Sequence, residues 1–550
     1  MRSCRTAFCL LILGLISLPL AGETWYVRHD GGTRYSSHNH KGQCDGLADA
    51  AYAGSGTNQH CAFNDVRYLW TDGKYTIDPH AGAPSWGWIG AGGDTYIIRG
   101  GPWRVGQSGP GDNQGLGLQG DPYDSGAPAP HSGTAAQHTR ILGENYASCS
   151  ASNKTQLFGG FGINTVLSLE GAHFVDVQCL DLTRHSDCIK YGNPPVPERC
   201  NKSYPMDDYA NNGITTDKNT RDILLQDMYI HGFTSRGIIG PIGGTVTATR
   251  VVISTNGAAG WDFDDGRSTP NVNGAINLSY VTIEWNGCNQ TYPGGGVKTC
   301  YSQDSGGYGD GIGTPGGTCL SAHVDHSIFR YNTQDGYDML HNDTGKCTMT
   351  ITDSMAYGNN GQQFKWGAND DPLVFTNNFV IGNCMRLSQP MPGVPDSFNA
   401  NLRDYCRAED TITFHLRQGS SVTMANNTII NYAPTTFDID CDDPSCSNST
   451  FTFKNNIVLG YENPATYNLG GKPGGPGGFY YGHPIGHVIR TNNIYYGLRG
   501  MRLETLFSSE KIVNPLFVSQ PSFSKEKDLD GFNFHLSPSS PARGIGATPQ

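Results

Sequence analysis

The sequence predicts an all-β fold, a parallel β-helix of stacked coils, and two observations carry the prediction. Between Tyr308 and Asn369 the segments GYGDGIGT, TQDGYDMLHND and NNGQQFKWGAND repeat one local design. In each, a turn-forming residue precedes a large apolar one: Gly311-Ile312, Gly336-Tyr337 and Gln363-Phe364. These positions recur after 25 and 27 residues, a period that belongs to stacked supersecondary units. Composition agrees, with 73 glycines, 16% charged residues and almost no stretch of helical apolar period.

Taken in order, the chain opens with MRSCRTAFCLLILGLISLPLAG, in which two arginines precede an apolar run from Ala7 to Leu20. The run is too short for a membrane span and ends in small residues, so residues 1–22 read as a secretory signal peptide. No later apolar segment is long enough to cross a bilayer. The expectation is an exported, soluble monomer, extracellular or periplasmic.

Residues 23–164 read as an N-terminal cap, a first coil and an exposed loop. TWYVRHDGG is a short strand, and Cys61–Trp70 is the best helix candidate, with Phe63, Val66, Leu69 and Trp70 at helical spacing. Such a helix would cover the open end of the stack and its unpaired strand edges. Gly92 to Gly106 reads as the first coil, and Gln107 to Gln137 as an exposed loop.

From 165 to 510 the alternating runs become regular, each closed by Gly or Asn, as a β-helix with loop insertions requires. The spacing from Gly260 to Gly311 is about twice the period, so Cys288 to Gly309 reads as a stapled loop emerging just before Asp310. Cys384 to Cys406 reads as a second loop. The pairs Asn377-Asn378, Asn426-Asn427, Asn455-Asn456 and Asn492-Asn493 fall at corresponding places and read as an asparagine ladder inside a turn. Residues 511–550 resemble the closing segment of right-handed β-helix proteins.

The 14 cysteines beyond the signal form an even set with close pairs: Cys44 with Cys61, Cys288 with Cys300, Cys319 with Cys347, Cys384 with Cys406, and Cys441 with Cys446. Cys149, Cys179, Cys188 and Cys200 admit more than one pairing. No two CxxC units occur, so disulfides are expected ahead of zinc. His185, His231, His323, His326 and His341 show no metal-ligand spacing. The net charge of −12 and the lack of a basic stripe argue against nucleic acid.

Stacking at about 4.8 Å per coil turns equivalent positions into columns. One position before the turn residue the column reads Asp310, Asp335, Gln362; two after it, Gly313, Asp338, Lys365. Three carboxylates and a lysine then share one patch, an arrangement that asks for a cation. Taken singly, each aspartate is also a common turn former, and Lys365 can simply pair with Asp338 across adjacent coils. Asp262 falls in the column of Asp338; with Asp264 and Asp265 it forms a solvated acidic turn, a site for a second cation, or an extension of the acidic site by one coil.

The turn Asp335-Gly336-Tyr337-Asp338, Asp310 one coil earlier and Phe364-Lys365-Trp366-Gly367 one coil later resemble the pectate lyases of polysaccharide lyase family nine. The resemblance implies a right-handed parallel β-helix that binds Ca2+ through Asp310, Asp335 and Asp338 and uses Lys365 as Brønsted base on an acidic polysaccharide. Where the family has a further Asp this chain has Gln334, which keeps an amide oxygen and loses one charge. Arg330, Arg386, Arg403 and Arg407 are candidates to meet substrate carboxylates, since the guanidinium fork suits them.

The chemistry follows from the residue types. In β-elimination from a polyuronate a base removes the C5 proton beside a carboxylate, and the C4 oxygen leaves. A hard cation on carboxylate oxygens neutralises that carboxylate and steadies the enolate-like charge. A lysine with an ordinary pKa of about 10.4 must be neutral to act as the base. The competing readings are hydrolysis of similar polymers by paired carboxylates and a non-catalytic β-helical glycan-binding or surface structural protein. The hydrolase reading lacks the RIK segment and GHG turn of β-helix polygalacturonases.

Overall fold

The computed structural model describes residues 22–37, 40–70, 87–106, 125–189, 200–201, 207–264, 273–300, 309–342, 347–368, 372–382, 410–416, 419–431, 435–441, 444–460, 481–482, 485–498, 506–520 and 533–547. Among them, strands assemble into three long parallel sheets of 13, 11 and 13 strands. The first sheet runs from Thr24–Gly32 to His487–Thr491, the second from Ser125–Ala127 to Tyr481–Gly482, and the third from Trp103–Arg104 to Lys511–Ile512. Strand order within each sheet follows the chain, because each coil crosses the three sheets in turn before pairing with the coil below. This is a right-handed parallel β-helix.

Alternation drives the coil closed. In Met349–Thr352 the side chains of Met349 and Ile351 are buried while Thr350 and Thr352 face outward, and in Ser421–Ala425 Val422 and Met424 do the same. Inward residues of successive coils stack on one another: Trp366 lies 5.2 Å from Phe414 with nearly parallel, stacked rings, and Phe364 packs edge-on to Phe375. Such rings pack into a core made mostly of Val, Ile and Leu, whose burial removes apolar area from water.

The corner between the first and third sheets is a two-residue turn, and it explains the paired asparagines. The first residue takes a left-handed conformation, with φ of 59° at Asn377, 56° at Asn426, 54° at Asn455 and 54° at Asn492, which asparagine tolerates better than most residues. The second is buried and forms the ladder: Asn378 N donates to Asn427 Oδ1, Asn427 N to Asn456 Oδ1 and Asn456 N to Asn493 Oδ1, each at 2.9 Å. The expected ladder is therefore present, with the two asparagines of each pair doing different work.

The expected capping helix is not. Cys61–Trp70 contains one four-residue 3-10 turn, Val66–Leu69, capped by Asp65, which accepts from Arg67 N at 2.9 Å. Cys61 is tied to Cys44, and Phe63 is bridged to Val27 and Gly32 in extended form, which leaves no length for a helix. The apolar spacing still buries Phe63, Val66, Leu69 and Trp70, with Trp70 against Trp88.

Cys44–Cys61, Cys288–Cys300 and Cys319–Cys347 pair as expected, and the open set resolves as Cys149–Cys179 and Cys188–Cys200. Cys446 is disulfide-bonded; Cys384, Cys406 and the Cys441 side chain lie outside the described residues, as does the signal segment through 21. No helix of the described residues is long and apolar enough to cross a membrane. At the C-terminus, Phe517–Ser519 pairs antiparallel with Asn533–Leu536, and Phe534 packs on Phe379 against the third sheet.

Candidate active site

Strands Ile312–Gly313, Tyr337–Met339 and Phe364–Ala368 are neighbours in the second sheet. Ile312 stands opposite Tyr337 and Tyr337 opposite Phe364; Gly313 stands opposite Asp338 and Asp338 opposite Lys365. The column of Gly313, Asp338 and Lys365 inferred from the repeat interval is thus in register, and Asp310, Asp335 and Gln362 are linked coil to coil by hydrogen bonds. Ile312, Tyr337, Met339, Phe364 and Trp366 fill the interior, so alternation turns Asp338 and Lys365 to the outer face.

The acidic residues are held by backbone donors. Asp335 N donates to Asp310 Oδ1 at 3.0 Å, Gln362 N to Asp335 Oδ1 at 2.7 Å and Leu340 N to Asp338 Oδ1 at 2.8 Å. The second oxygens of two carboxylates face the lysine: Lys365 Nζ lies 3.1 Å from Asp335 Oδ2 and 3.0 Å from Asp338 Oδ2. Two glycines clear the space. A Cβ on Gly313 would meet Asp310 Oδ2 at 3.0 Å, and one on Gly361 would overlap Asp335 Oδ1.

Burial and like charge dominate the electrostatics. Asp310, Asp335 and Asp338 are 3%, 7% and 8% exposed. Burial, reinforced by the charges of Asp335 and Asp338, raises the Asp310 carboxyl well above the usual carboxylate range. Burial also pushes Asp338 up to about 6, against the pull of Lys365. For Lys365 burial acts downward, but Asp335, Asp338 and Asp310 outweigh it and hold the ammonium well above its ordinary pKa. In this state Lys365 is a locked cation, and its neutral form is reached only when the carboxylate charge is compensated from elsewhere.

The donor set suits a hard cation, since oxygen ligands are all it offers, and the raised carboxyls mark negative charge in excess of one ammonium. The three carboxylates do not, however, bring one oxygen each within 4.8 Å of one another; Asp335 and Asp338 converge on Lys365 instead. Gln334 is buried, its N donating to Gly309 O and its carbonyl accepting from Gly361 N.

Arg330 is not brought to this cluster. It lies on the third sheet in Ile328–Arg330, where Nε meets Glu284 Oε2 at 2.6 Å and a terminal nitrogen meets the Tyr357 hydroxyl at 2.7 Å. Arg386, Arg403, Arg407 and Asp265 lie outside the described residues. Asp262 does occupy the column, opposite Gly313, and pairs with Arg236 at 2.7 Å; Asp264 N donates to Asp262 Oδ1. The stapled loop begins as an antiparallel hairpin, Cys288–Gln290 with Val297–Cys300, that turns back to earlier coils, where Tyr292 stacks on His185.

Sequence reasoning missed a second amide ladder in the turns that lead into the site. Asn256 N donates to Asn286 Oδ1, Asn286 N to Asn332 Oδ1 and Asn332 N to Asn359 Oδ1, and Asn359 N donates to Gln363 Oε1. These turns carry Asp335 and Gln362, so the ladder fixes their backbone. Its signal was an Asn closing each of the four alternating runs, paired with a second Asn only at Asn359-Asn360 and interrupted by the loop insertion.

No protein-family model matches the sequence, and no curated protein matches it. Among solved structures the chain is similar to a rhamnogalacturonan lyase at 12% identity, TM-score 0.39, over 96% of this chain and 99% of that one. It is also similar to an alginate lyase from Paenibacillus at 13% identity, TM-score 0.34, over 72% and 93% of the two chains. A third, the pectate lyase Pel9A, aligns at 11% identity with TM-score 0.35 over 80% of each chain. The architecture itself rests on the strand pairing described above.

Proposed function

We propose that the chain is a secreted polysaccharide lyase that cleaves a uronate-containing, pectate-like polymer by β-elimination. The observation that supports this reading is the buried placement of Lys365 Nζ between Asp335 and Asp338, on the outer face of a sheet, beside a third buried carboxylate at Asp310. Asp310, Asp335 and Asp338, with an amide oxygen from Gln334, would hold a calcium ion, which when bound supplies charge neutralisation at the substrate carboxylate. Lys365, neutral and aimed by Asp335 and Asp338, accepts the C5 proton at Nζ. The C5–H electron pair becomes the C4–C5 double bond, and the C4–O pair departs with the leaving oxygen, which takes a proton from solvent.

The test is ultraviolet absorbance of the conjugated unsaturated uronate, for wild type and Lys365→Ala, on polygalacturonate, pectin and alginate with calcium or chelator. Calcium-dependent product that disappears in the variant is the expected result. Chain shortening without absorbance would favour hydrolysis instead, for which Asp262 is poorly placed because Arg236 already holds it. No turnover of any polyuronate would sink the lyase reading.

A further inference from the structure

The corner between the first and third sheets carries a second constellation, away from the sheet that holds Lys365. In the first sheet Asp325 stands opposite Thr352, so the residues that follow, His326 and Asp353, occupy equivalent corner positions one coil apart. Both take the left-handed conformation of that corner, with φ of 46° and 49°. Their interval is 27 residues, the same repeat that aligns Asp338 with Lys365. Ligand atoms of Asp325, His326 and Asp353 all lie within 4.8 Å of one another.

We propose that Asp325, His326 and Asp353 bind a divalent transition ion, with Zn2+ the ion their donor set suits. One imidazole nitrogen and two carboxylates make a three-ligand site that leaves room for water. Calcium, which takes oxygen ligands, fits it poorly.

A second observation points the same way. His326 Nδ1 is buried and makes no hydrogen bond, although Asp325 Oδ1 is 2.7 Å away. The carboxylate approaches off the direction of a ring N–H, which leaves the nitrogen's lone pair or proton without an aligned partner. The surroundings are those of an oriented ligand set: Ser279 and Thr352 hydroxyls donate to the two Asp325 oxygens at 3.4 and 3.3 Å, and Tyr280 stacks on the imidazole at 4.9 Å. The remaining group of converging ligand atoms among the described residues contains Cys188 and Cys200, which are joined in a disulfide and cannot ligate.

The experiment is Zn2+ titration of the full chain by calorimetry, for wild type, His326→Asn, Asp353→Asn and Asp335→Asn. Asparagine already fills this corner at Asn377 and Asn426, so the first two variants keep its backbone. One Zn2+ per chain is expected, weakened more than about tenfold in His326→Asn and Asp353→Asn and unchanged in Asp335→Asn. Absence of Zn2+ binding to wild type, affinity unaltered by His326→Asn, or loss in Asp335→Asn alone would each overturn the proposal. Because none of these readouts is turnover, the result stands apart from the fate of the lyase reading.

Discussion

Asp338 Oδ2 and Lys365 Nζ lie 3.0 Å apart on neighbouring strands in direct register, although 27 residues separate them in the chain. The pair is mostly buried, and Asp335 makes the same contact from the turn before. Removing the ammonium therefore strands three carboxylates. In chelator, Lys365→Ala should lose about 3–5 kcal/mol of stability, the scale for breaking a buried ion pair. Calcium should restore part of it, so the calcium-induced rise in Tm is larger in the variant than in wild type. Equal rises in the two proteins would remove the cation from this cluster.

Asp310→Asn should do the opposite to stability. Its carboxyl is raised above the unfolded value of 3.8, so the native state holds that proton more tightly and the ionised group opposes folding. Wild-type stability from this residue is fully present below pH 3.8 and declines as pH rises through the folded pKa. The amide has no such dependence and can still accept from Asp335 N. In metal-free protein the variant should melt a few degrees higher at neutral pH and gain nothing in acid, while losing lyase activity. A lower Tm at neutral pH would show that the Asp310 charge is required by the fold.

The proposed lyase activity should rise with pH, because the proposed base, Lys365, acts in its deprotonated form. With the ammonium held above its ordinary pKa by Asp335, Asp338 and Asp310, the rising limb should sit in alkaline solution at low calcium. Added cation opposes those carboxylates, so the limb should move to lower pH as calcium increases. The measurement is the pH dependence of kcat/KM at several calcium concentrations. A limb that stays fixed would separate Lys365 from the cation.

What the sequence disclosed was whatever depends on register. A repeat of 25 and 27 residues aligns Asp310, Asp335, Asp338 and Lys365 without knowledge of a single torsion, because parallel stacking maps interval onto distance. Arg330 escaped that logic: its place on the third sheet follows from how many residues the corner consumes, which alternation alone does not count. His326 and Asp353 were within reach, since their interval is that of Asp338 and Lys365, but neither sits beside a turn glycine. The capping helix failed where a disulfide at Cys61 and an extended bridge at Phe63 overrode local periodicity.

The two asparagines of a corner pair should respond differently to substitution. Asn427 accepts from Asn378 N at 2.9 Å and donates to Asn456 Oδ1 at 3.0 Å and Phe375 O at 2.9 Å, all buried. Asn427→Ala strands these groups at about 1–3 kcal/mol each, so a loss of about 3 kcal/mol or more is expected in denaturant unfolding. Asn426 supplies a left-handed φ of 56°, which glycine adopts freely. Asn426→Gly should stay within about 0.5 kcal/mol of wild type. Equal losses would mean that the ladder is not what holds the corner.

Gly361→Ala tests whether the position of Asp335 matters independently of its charge. A Cβ there would overlap Asp335 Oδ1, the oxygen that accepts from Gln362 N at 2.7 Å. The methyl group must displace the carboxylate, and with it the oxygen that lies 3.1 Å from Lys365 Nζ. No charge changes. Displacements of this size about a reacting centre cost on the order of 100-fold in rate, so kcat on polygalacturonate should fall by that order. Overpacking at one turn should cost about 1–3 kcal/mol, which calcium would offset less well than in wild type if Asp335 is a ligand. Wild-type kcat in Gly361→Ala would show that Asp335 can move without consequence, and the role assigned to it would then pass to Asp310 and Asp338.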